Sequence, residues 1–224
     1  MGDSSNIYLL LSKFSDLSIL LPVVCSLIFY RYLNRALMPI FYWAISTLIL
    51  SIILLVLASN GIHNLFLGHI HSVIEFTLFS LFFCRVPHRV LSYRHFVILN
   101  LLFLAFAIFD YLRLDNPILL NSATRIIEAL VLLVLAIKYL IAFKKEASLV
   151  QGHHNPFFWL CCGFLVYYSS TLILFPVFNI LQLEASSELP KAWAAHSVMN
   201  VLLNLVISIS FWTAWKTRLS HQLR

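Results

Sequence analysis

The sequence predicts an all-α polytopic membrane protein, a bundle of seven transmembrane helices with its N-terminus outside and its C-terminus in the cytoplasm. Of the 224 residues, 61% are hydrophobic and only 11% are charged, whereas soluble domains carry about 25% charged residues. Windows of about 19 residues lack charge on every helical face, which is typical of a membrane span and not of an amphipathic soluble helix. The basic residues, finally, gather in alternate loops.

Seven apolar segments alternate with short polar connections. At 1.5 Å per residue each segment can cross a hydrocarbon core of about 30 Å, although the first does so only if it begins near Ile7. No connection exceeds about a dozen residues, so none has room for a soluble domain. Residues 1–224 therefore form one transmembrane domain. The predicted spans are 15–30, 39–58, 64–83, 95–112, 118–142, 156–178 and 192–215.

Helix-breaking residues mark these connections in chain order. Proline and Asn-Gly end or start helices because proline lacks the backbone N–H and Gly adopts a left-handed conformation without strain. Pro22 and Pro176 instead lie within the first and sixth spans, where neighbouring helices tolerate a kink. The breakers are Asn34 and Pro39 before the second span, Asn60-Gly61 before the third, Pro87 after it, Asn116-Pro117 before the fifth, Asn155-Pro156 at the sixth, and Pro190 before the seventh.

The distribution of charge predicts the orientation, because loops rich in Lys and Arg stay in the cytoplasm. One side of the membrane receives ten basic residues and the acid Glu146, and the other receives three basic residues and six acids. The predicted cytoplasmic residues are Arg31, Arg35, Arg85, Arg89, Arg94, Lys144, Lys145, Lys216, Arg218 and Arg224. The opposite side has Lys13, Arg113 and Lys191 beside Asp3, Asp16, Asp110, Asp115, Glu184 and Glu188. The formal net charge of +6 thus reflects topology, and no nucleic-acid partner is predicted.

Three charged residues, Glu75, Arg125 and Glu128, lie well inside predicted spans. Each costs several kcal/mol if it faces lipid, so all three must face the bundle interior or a watery cavity. Helical spacing places each in a polar stripe on one face of its helix. The stripes are His71 and Glu75 in span three, Asn121, Arg125 and Glu128 in span five, and His196, Asn200 and Asn204 in span seven.

The three polar stripes also lie at similar depths in the predicted membrane. Odd-numbered spans run from outside to inside in the predicted topology, which puts most of the polar positions in the outer half of the bilayer and Glu75 and Asn204 near its middle. The inner halves of the same segments are almost purely apolar. We therefore expect a polar pocket bounded by spans three, five and seven, open to the outside and closed below by an apolar layer.

Three interpretations of this pocket remain open. Arg125 can hold a carboxylate or phosphate, and Glu75 with His71 can bind an amine or relay a proton, which favours binding of a small polar or amphiphilic ligand for sensing or transport. The set His71, Glu75, Glu128 and His196 can instead hold a metal that activates water against a lipid-like substrate. In the third interpretation the stripes only join helices, as in a scaffold or accessory subunit with a membrane or cytoplasmic protein partner.

Motifs of soluble enzymes are absent from the sequence. It contains no G-x-S-x-G, Walker A, G-x-G-x-x-G or H-E-x-x-H pattern. The last span contains no lysine that could bind retinal. No cofactor is predicted, and whether the protein is an enzyme stays open.

Two segments resemble uncharacterised bacterial seven-helix membrane proteins. They run from His63 to Phe76 (HNLFLGHIHSVIEF) and from Trp193 to Asn204 (WAAHSVMNVLLN). The resemblance implies a multi-pass protein of the bacterial cytoplasmic membrane. It brings no known activity, but it covers the same stripes, with Glu75 on one helix and His196, Asn200 and Asn204 on the other.

Overall fold

The computed structural model describes residues 2–62, 64, 66–87, 90–113, 122–146 and 154–222. Helices are the regular structure throughout these ranges, without a strand. A 3₁₀ turn at Tyr30–Tyr32 joins two of them. The α-helices are α1 (Gly2–Ser18), α2 (Leu20–Ile28), α3 (Met38–Ser59), α4 (Phe66–Arg85), α5 (Tyr93–Arg113), α6 (Ser122–Glu146), α7 (Pro156–Leu183) and α8 (Leu189–Gln222).

Within these residues, seven helical segments are long and apolar enough to cross a membrane, which confirms the predicted all-helical, seven-span class. The first span comprises the end of α1 together with α2, and each of α3 to α8 supplies one more. The sixth and seventh spans, formed by α7 and α8, are longer than the predicted 156–178 and 192–215. Several residues named in the predictions lie outside the described ranges: 118–121 of the fifth span, and His63, Leu65, Arg89, Asp115, Asn116, Pro117, Asn121 and Arg224.

The first span is a broken helix, and it begins earlier than the predicted residue 15. Helical structure starts at Gly2, and the apolar window starts at Leu10. The break falls at Ile19, between α1 and α2. It follows from Pro22, which has no N–H to donate to the carbonyl four residues earlier, at Ser18. The Ser18 hydroxyl donates to the Ser15 carbonyl at 2.6 Å, within the last turn of α1.

The breakers found in the sequence act as helix caps. The Asn34 side chain accepts hydrogen bonds from the N–H groups of Ala36 and Leu37, just before α3. Asn155 does the same at the start of α7, and Pro156 fills the first helical position. At the end of α3, Gly61 adopts φ +67°, and the Ile62 N–H donates to the Leu57 carbonyl at 3.0 Å. This is a Schellman ending, and its left-handed position explains the glycine.

Helices α4, α6 and α7 form the centre of the bundle. α4 packs against α3, α5 and α6, while α7 lies between α6 and α8. α8 in turn packs along both α1 and α2. The faces of α4, α6 and α7 that meet in the middle therefore contain the candidate site.

Helices α7 and α8 approach each other closely at Gly163. A Cβ added at Gly163 would lie 2.9 Å from Cγ1 and 3.2 Å from Cβ of Val206. A β-branched valine in a helix has one strongly preferred rotamer, so it cannot turn aside. Gly163 thus permits the packing of α7 on α8.

The substitution Gly163→Ala is therefore expected to destabilise the protein by about 1–3 kcal/mol, the usual cost of overpacking. Val206→Ala removes Cγ1, the nearer of the two obstructing atoms, so the double variant Gly163→Ala/Val206→Ala should recover part of that loss. Thermal unfolding of the detergent-purified variants measures both. A Gly163→Ala protein as stable as the wild type would contradict the packing described here.

An aromatic layer lies on one side of the charged positions. Phe79, Phe82, Phe83 and Phe164 are fully buried. The Phe79 and Phe164 ring centroids lie 4.6 Å apart, and Tyr168 contacts both rings. This layer consists mainly of phenylalanine from α4 and α7.

Candidate functional site

Arg125 of α6 lies between two carboxylates from different helices. Its Nη1 atom is 3.2 Å from Oε2 of Glu75 on α4 and 3.1 Å from Oε2 of Glu128, one turn along α6. The i, i+3 spacing of Arg125 and Glu128 brings both side chains to the face that packs on α4. We call these residues, together with His71 and Tyr168, the Arg125 cluster.

His71 extends the cluster towards α3. Arg125 Nη2 lies 2.8 Å from His71 Nδ1. Because a guanidinium only donates hydrogen bonds, Nδ1 must accept this one and carries no proton. The proton of a neutral ring then lies on Nε2, which is 3.2 Å from the Thr47 hydroxyl of α3. His71 Nδ1 is also 3.3 Å from Glu75 Oε2, but with Nδ1 accepting from Arg125 this contact is not an ion pair.

Tyr168 of α7 completes the surroundings of Glu75. Its hydroxyl donates to Glu75 Oε1 at 2.7 Å. Glu75 therefore has a donor at each carboxylate oxygen, Tyr168 at one and Arg125 at the other. Three helices, α4, α6 and α7, contribute side chains to the cluster, and Thr47 of α3 borders it.

Glu128 is less completely satisfied than Glu75. Its Oε1 atom is buried and accepts no hydrogen bond from the described residues. The Ser72 hydroxyl of α4 interacts with the Glu128 carboxylate as a whole and lies 3.1 Å from the Gly68 carbonyl. The Glu128 carboxylate thus presents one oxygen that lacks a donor.

Exposure is unequal across the cluster. The side chains of Glu75 and Glu128 are only 2% and 1% exposed, while His71 and Arg125 retain 20% and 13%. The imidazole and the guanidinium therefore provide most of the exposed surface of these four side chains, and the two carboxylates are buried.

The formal charges of the cluster do not cancel. Glu75 and Glu128 provide two acids, and Arg125 provides one permanent positive charge, since His71 accepts through Nδ1. An unbalanced charge in an apolar interior costs several kcal/mol or more. A proton or the cationic group of a ligand must therefore balance the second carboxylate.

Asp110 of α5 holds the beginning of α6 and so positions Arg125. Its Oδ2 accepts hydrogen bonds from the Thr124 N–H at 3.2 Å and from the Thr124 hydroxyl at 2.5 Å. A carboxylate at a helix N-terminus satisfies free N–H groups and interacts favourably with the helix dipole. Arg125 follows Thr124 directly, so this cap fixes the first described turn of the arginine's helix.

His196 lies among aromatic rings instead of among the charges. Its ring centroid is 5.5–6.0 Å from those of four aromatic side chains, and its Nδ1 atom is buried without a hydrogen-bond partner in the described residues. Tyr167, one of the four, adjoins Tyr168 of the cluster. The four rings are Tyr167, Phe175, Phe178 and Trp193.

Asn200 and Asn204 face the first span. The Asn200 amide donates to the Ser15 hydroxyl at 3.0 Å, and the Asn204 amide donates to the Ser18 hydroxyl at 2.7 Å. Of the stripe predicted in α8, Asn200 and Asn204 thus pack on α1 and not on α4 or α6, whereas His196 faces aromatic rings of α7. These two bonds join helices, as the third interpretation expected of such residues.

The variant Asn204→Ala is expected to lose about 0.6 kcal/mol of stability, and at most about 1.7 kcal/mol, the range measured for interhelical hydrogen bonds in membranes. Combined with Ser18→Ala, the two losses should be less than additive, because the same bond is removed twice. Unfolding of the two single variants and the double variant in mild detergent measures the coupling. Strictly additive losses would show that the bond contributes nothing.

Three residues of the site were missed in the sequence. Tyr168 and Thr47 lie in apolar segments, and Ser72 adjoins a histidine of the predicted stripe. A tyrosine in the middle of a span, away from the interfaces where Tyr is common, was the one available signal. Thr47 and Ser72 carry no comparable signal, since Ser and Thr often bond only to their own helix.

Three residues of the alternative metal set, His71, Glu75 and Glu128, lie in the Arg125 cluster, but they surround a guanidinium. Within the described ranges, no three His, Cys, Asp or Glu side chains come together as ligands. The Arg125 guanidinium lies between the two carboxylates, where a metal ion would have to bind, and His196 lies among the aromatic rings. The geometry therefore does not favour the metal-dependent interpretation.

Comparison of the chain with protein-family models, with curated proteins and with solved structures finds no match.

Proposed function

We propose that this chain is a multi-pass protein of the cytoplasmic membrane that binds a small polar or amphiphilic ligand at the Arg125 cluster, for sensing or transport. The observation that carries the proposal is the incomplete cluster. Two buried carboxylates share one guanidinium, and Glu128 Oε1 has no donor among the described residues. Ion pairs that serve only to join helices gain nothing from an extra buried acid, because an unpaired buried charge destabilises the fold.

The chemistry of the cluster indicates which ligand groups it can accept. A cationic donor such as an ammonium group would supply both the missing charge and the missing hydrogen bond at Glu128. An anionic group of the same ligand would meet Arg125 and His71, the two more exposed members. A zwitterion or an amine with a polar head therefore suits the cluster best.

The proposed orientation places the N-terminus outside. It is supported by the ten basic residues that alternate loops and the C-terminal tail place on one side of the membrane. A reporter that is active only outside the cytoplasm, fused after Arg224, should therefore be inactive. Activity of that fusion would contradict the orientation.

The ligand site is tested with purified protein and a panel of small amines, zwitterionic amino acids and lipid headgroup analogues. At least one member should raise the melting temperature of the wild type in a saturable way, since a ligand that binds only the folded state stabilises it. The same compound should have no effect on Glu128→Gln, which removes the acceptor charge and keeps the shape of the side chain.

Glu188→Gln is the matched control, because Glu188 pairs with Lys191 at the surface and is 54% exposed. It should respond to the ligand like the wild type. Equal responses of wild type and Glu128→Gln, or no response of the wild type to any class in the panel, would contradict a ligand site at this cluster. The protein would then be better explained as a scaffold.

A further inference from the structure

A groove lies between α5 and α6, away from the Arg125 cluster. Its volume is about 680 Å³. The walls are apolar along most of the length, and the described residues that line it include no acid. The apolar lining residues are Val90, Leu91, Ile98, Leu99, Leu102, Leu130, Val131, Val134 and Leu135.

One end of the groove is polar and basic. Lys138, His95 and Ser92 line it together. The Lys138 ammonium reaches the Val90 carbonyl at 3.4 Å, which places it beside the segment that precedes α5. His95 Nδ1 bonds to the Ser92 hydroxyl at 2.5 Å. The exposed Arg94 adjoins this end in sequence.

The donors at this end are only partly used. An ammonium group has three N–H donors, and the Val90 carbonyl takes one of them at most. In the tautomer in which His95 Nδ1 accepts the Ser92 hydroxyl proton, the ring proton lies on Nε2, which is then a free donor. Two nitrogen groups from opposite walls of the groove are thus available to one anion, which is the arrangement that holds a phosphate.

The groove also lies at the right height in the bilayer. α5 begins its apolar window at Tyr93 and α6 ends its own at Lys145, so both helices present the same end to the same membrane surface. Lys138 and Leu130 are eight residues apart on α6, which corresponds to about 12 Å along the helix. The groove therefore runs from the interface into the hydrocarbon core, as the upper part of an acyl chain does.

We propose that this groove binds a phospholipid with an anionic headgroup, its phosphate between Lys138 and His95 and one acyl chain along α5 and α6. Charge complementarity at the basic end and the apolar walls below it select this occupant over a free anion, which would leave the walls uncovered. The proposal does not depend on the function proposed for the Arg125 cluster.

Native mass spectrometry of the full-length protein, delipidated in neutral detergent, tests the proposal. Phosphatidylglycerol should bind more tightly than phosphatidylcholine or diacylglycerol with the same chains. Lys138→Gln should weaken phosphatidylglycerol binding about fivefold, as expected for one basic residue near a membrane surface. Lys216→Gln removes the same charge from a residue placed over the Trp212 ring, and it should bind like the wild type.

Val134→Trp tests the apolar part of the groove without a change of charge, and it should also weaken binding of phosphatidylglycerol. Equal affinity for phosphatidylglycerol and phosphatidylcholine, or equal weakening by Lys138→Gln and Lys216→Gln, would overturn the site. Full competition by inorganic phosphate at millimolar concentration would show that the site binds a free anion and no lipid. Melting curves of each variant show that it is folded.

Discussion

Replacing Arg125 with methionine is expected to destabilise the protein by about 3–5 kcal/mol, the cost of removing one partner of a buried ion pair. Glu75 and Glu128 would then face each other with no counter-charge, in side chains that are 2% and 1% exposed. His71 Nδ1 would lose its donor as well. Thermal unfolding in detergent, or the yield of folded protein after extraction, measures the loss.

The control for this prediction removes every formal charge from the set. The triple variant Glu75→Gln/Arg125→Met/Glu128→Gln keeps similar side-chain volumes, and well-packed neutral replacements of buried ion pairs are often neutral or stabilising. It should therefore recover most of the stability that Arg125→Met loses. A triple variant as unstable as Arg125→Met would show that shape, and not charge, determines the contribution of Arg125.

The two carboxylates are expected to respond differently to the same substitution. Glu75 accepts a hydrogen bond at each oxygen, from Arg125 and from Tyr168. The amide of Glu75→Gln can keep its oxygen on Arg125 and place its NH₂ at Tyr168, whose hydroxyl then accepts but loses the acceptor for its own proton, at a cost of about 1–3 kcal/mol. Glu128 accepts no hydrogen bond at Oε1, so Glu128→Gln can keep its oxygen on Arg125 and place its NH₂ at the Oε1 position.

Glu128→Gln should accordingly be as stable as the wild type or more stable, because it also removes the excess acid. Melting temperatures of the two variants, compared with Glu188→Gln as a surface control, check this asymmetry. Equal losses in Glu75→Gln and Glu128→Gln would contradict the different hydrogen bonding described for the two residues.

The number of spans and the approximate segments could be predicted because hydropathy, charge bias and breakers all act locally in the sequence. Asn34, Asn155 and Gly61 end or begin helices where the sequence places them. The break at Ile19 was harder to predict. Pro22 lies inside an apolar run, and the sequence does not show whether a neighbouring helix straightens or breaks such a segment.

The membership of the site could be predicted only in part. Helical phase correctly put His71 with Glu75 and Arg125 with Glu128, and the cost of burying charge implies that such residues meet. The phase of Asn200 and Asn204 is equally regular, yet it points to Ser15 and Ser18. Periodicity identifies a polar face but not the helix that packs on it. Ser15 and Ser18 give no signal in an apolar segment, so the sequence does not indicate α1 as the partner of α8.

The Arg125 cluster contains one acid more than its cation can balance. Infrared spectroscopy of the washed, ligand-free protein detects such an excess acid, because a protonated carboxyl group has a C=O stretch distinct from that of a carboxylate. The difference spectrum of wild type minus Glu128→Gln should show one protonated carboxyl band that shifts in D₂O. Glu75→Gln should lose the same band, since a single carboxylate then balances Arg125. A band of equal size in all three proteins, or its absence from the wild type, would show that the Arg125 cluster holds no excess protonated acid.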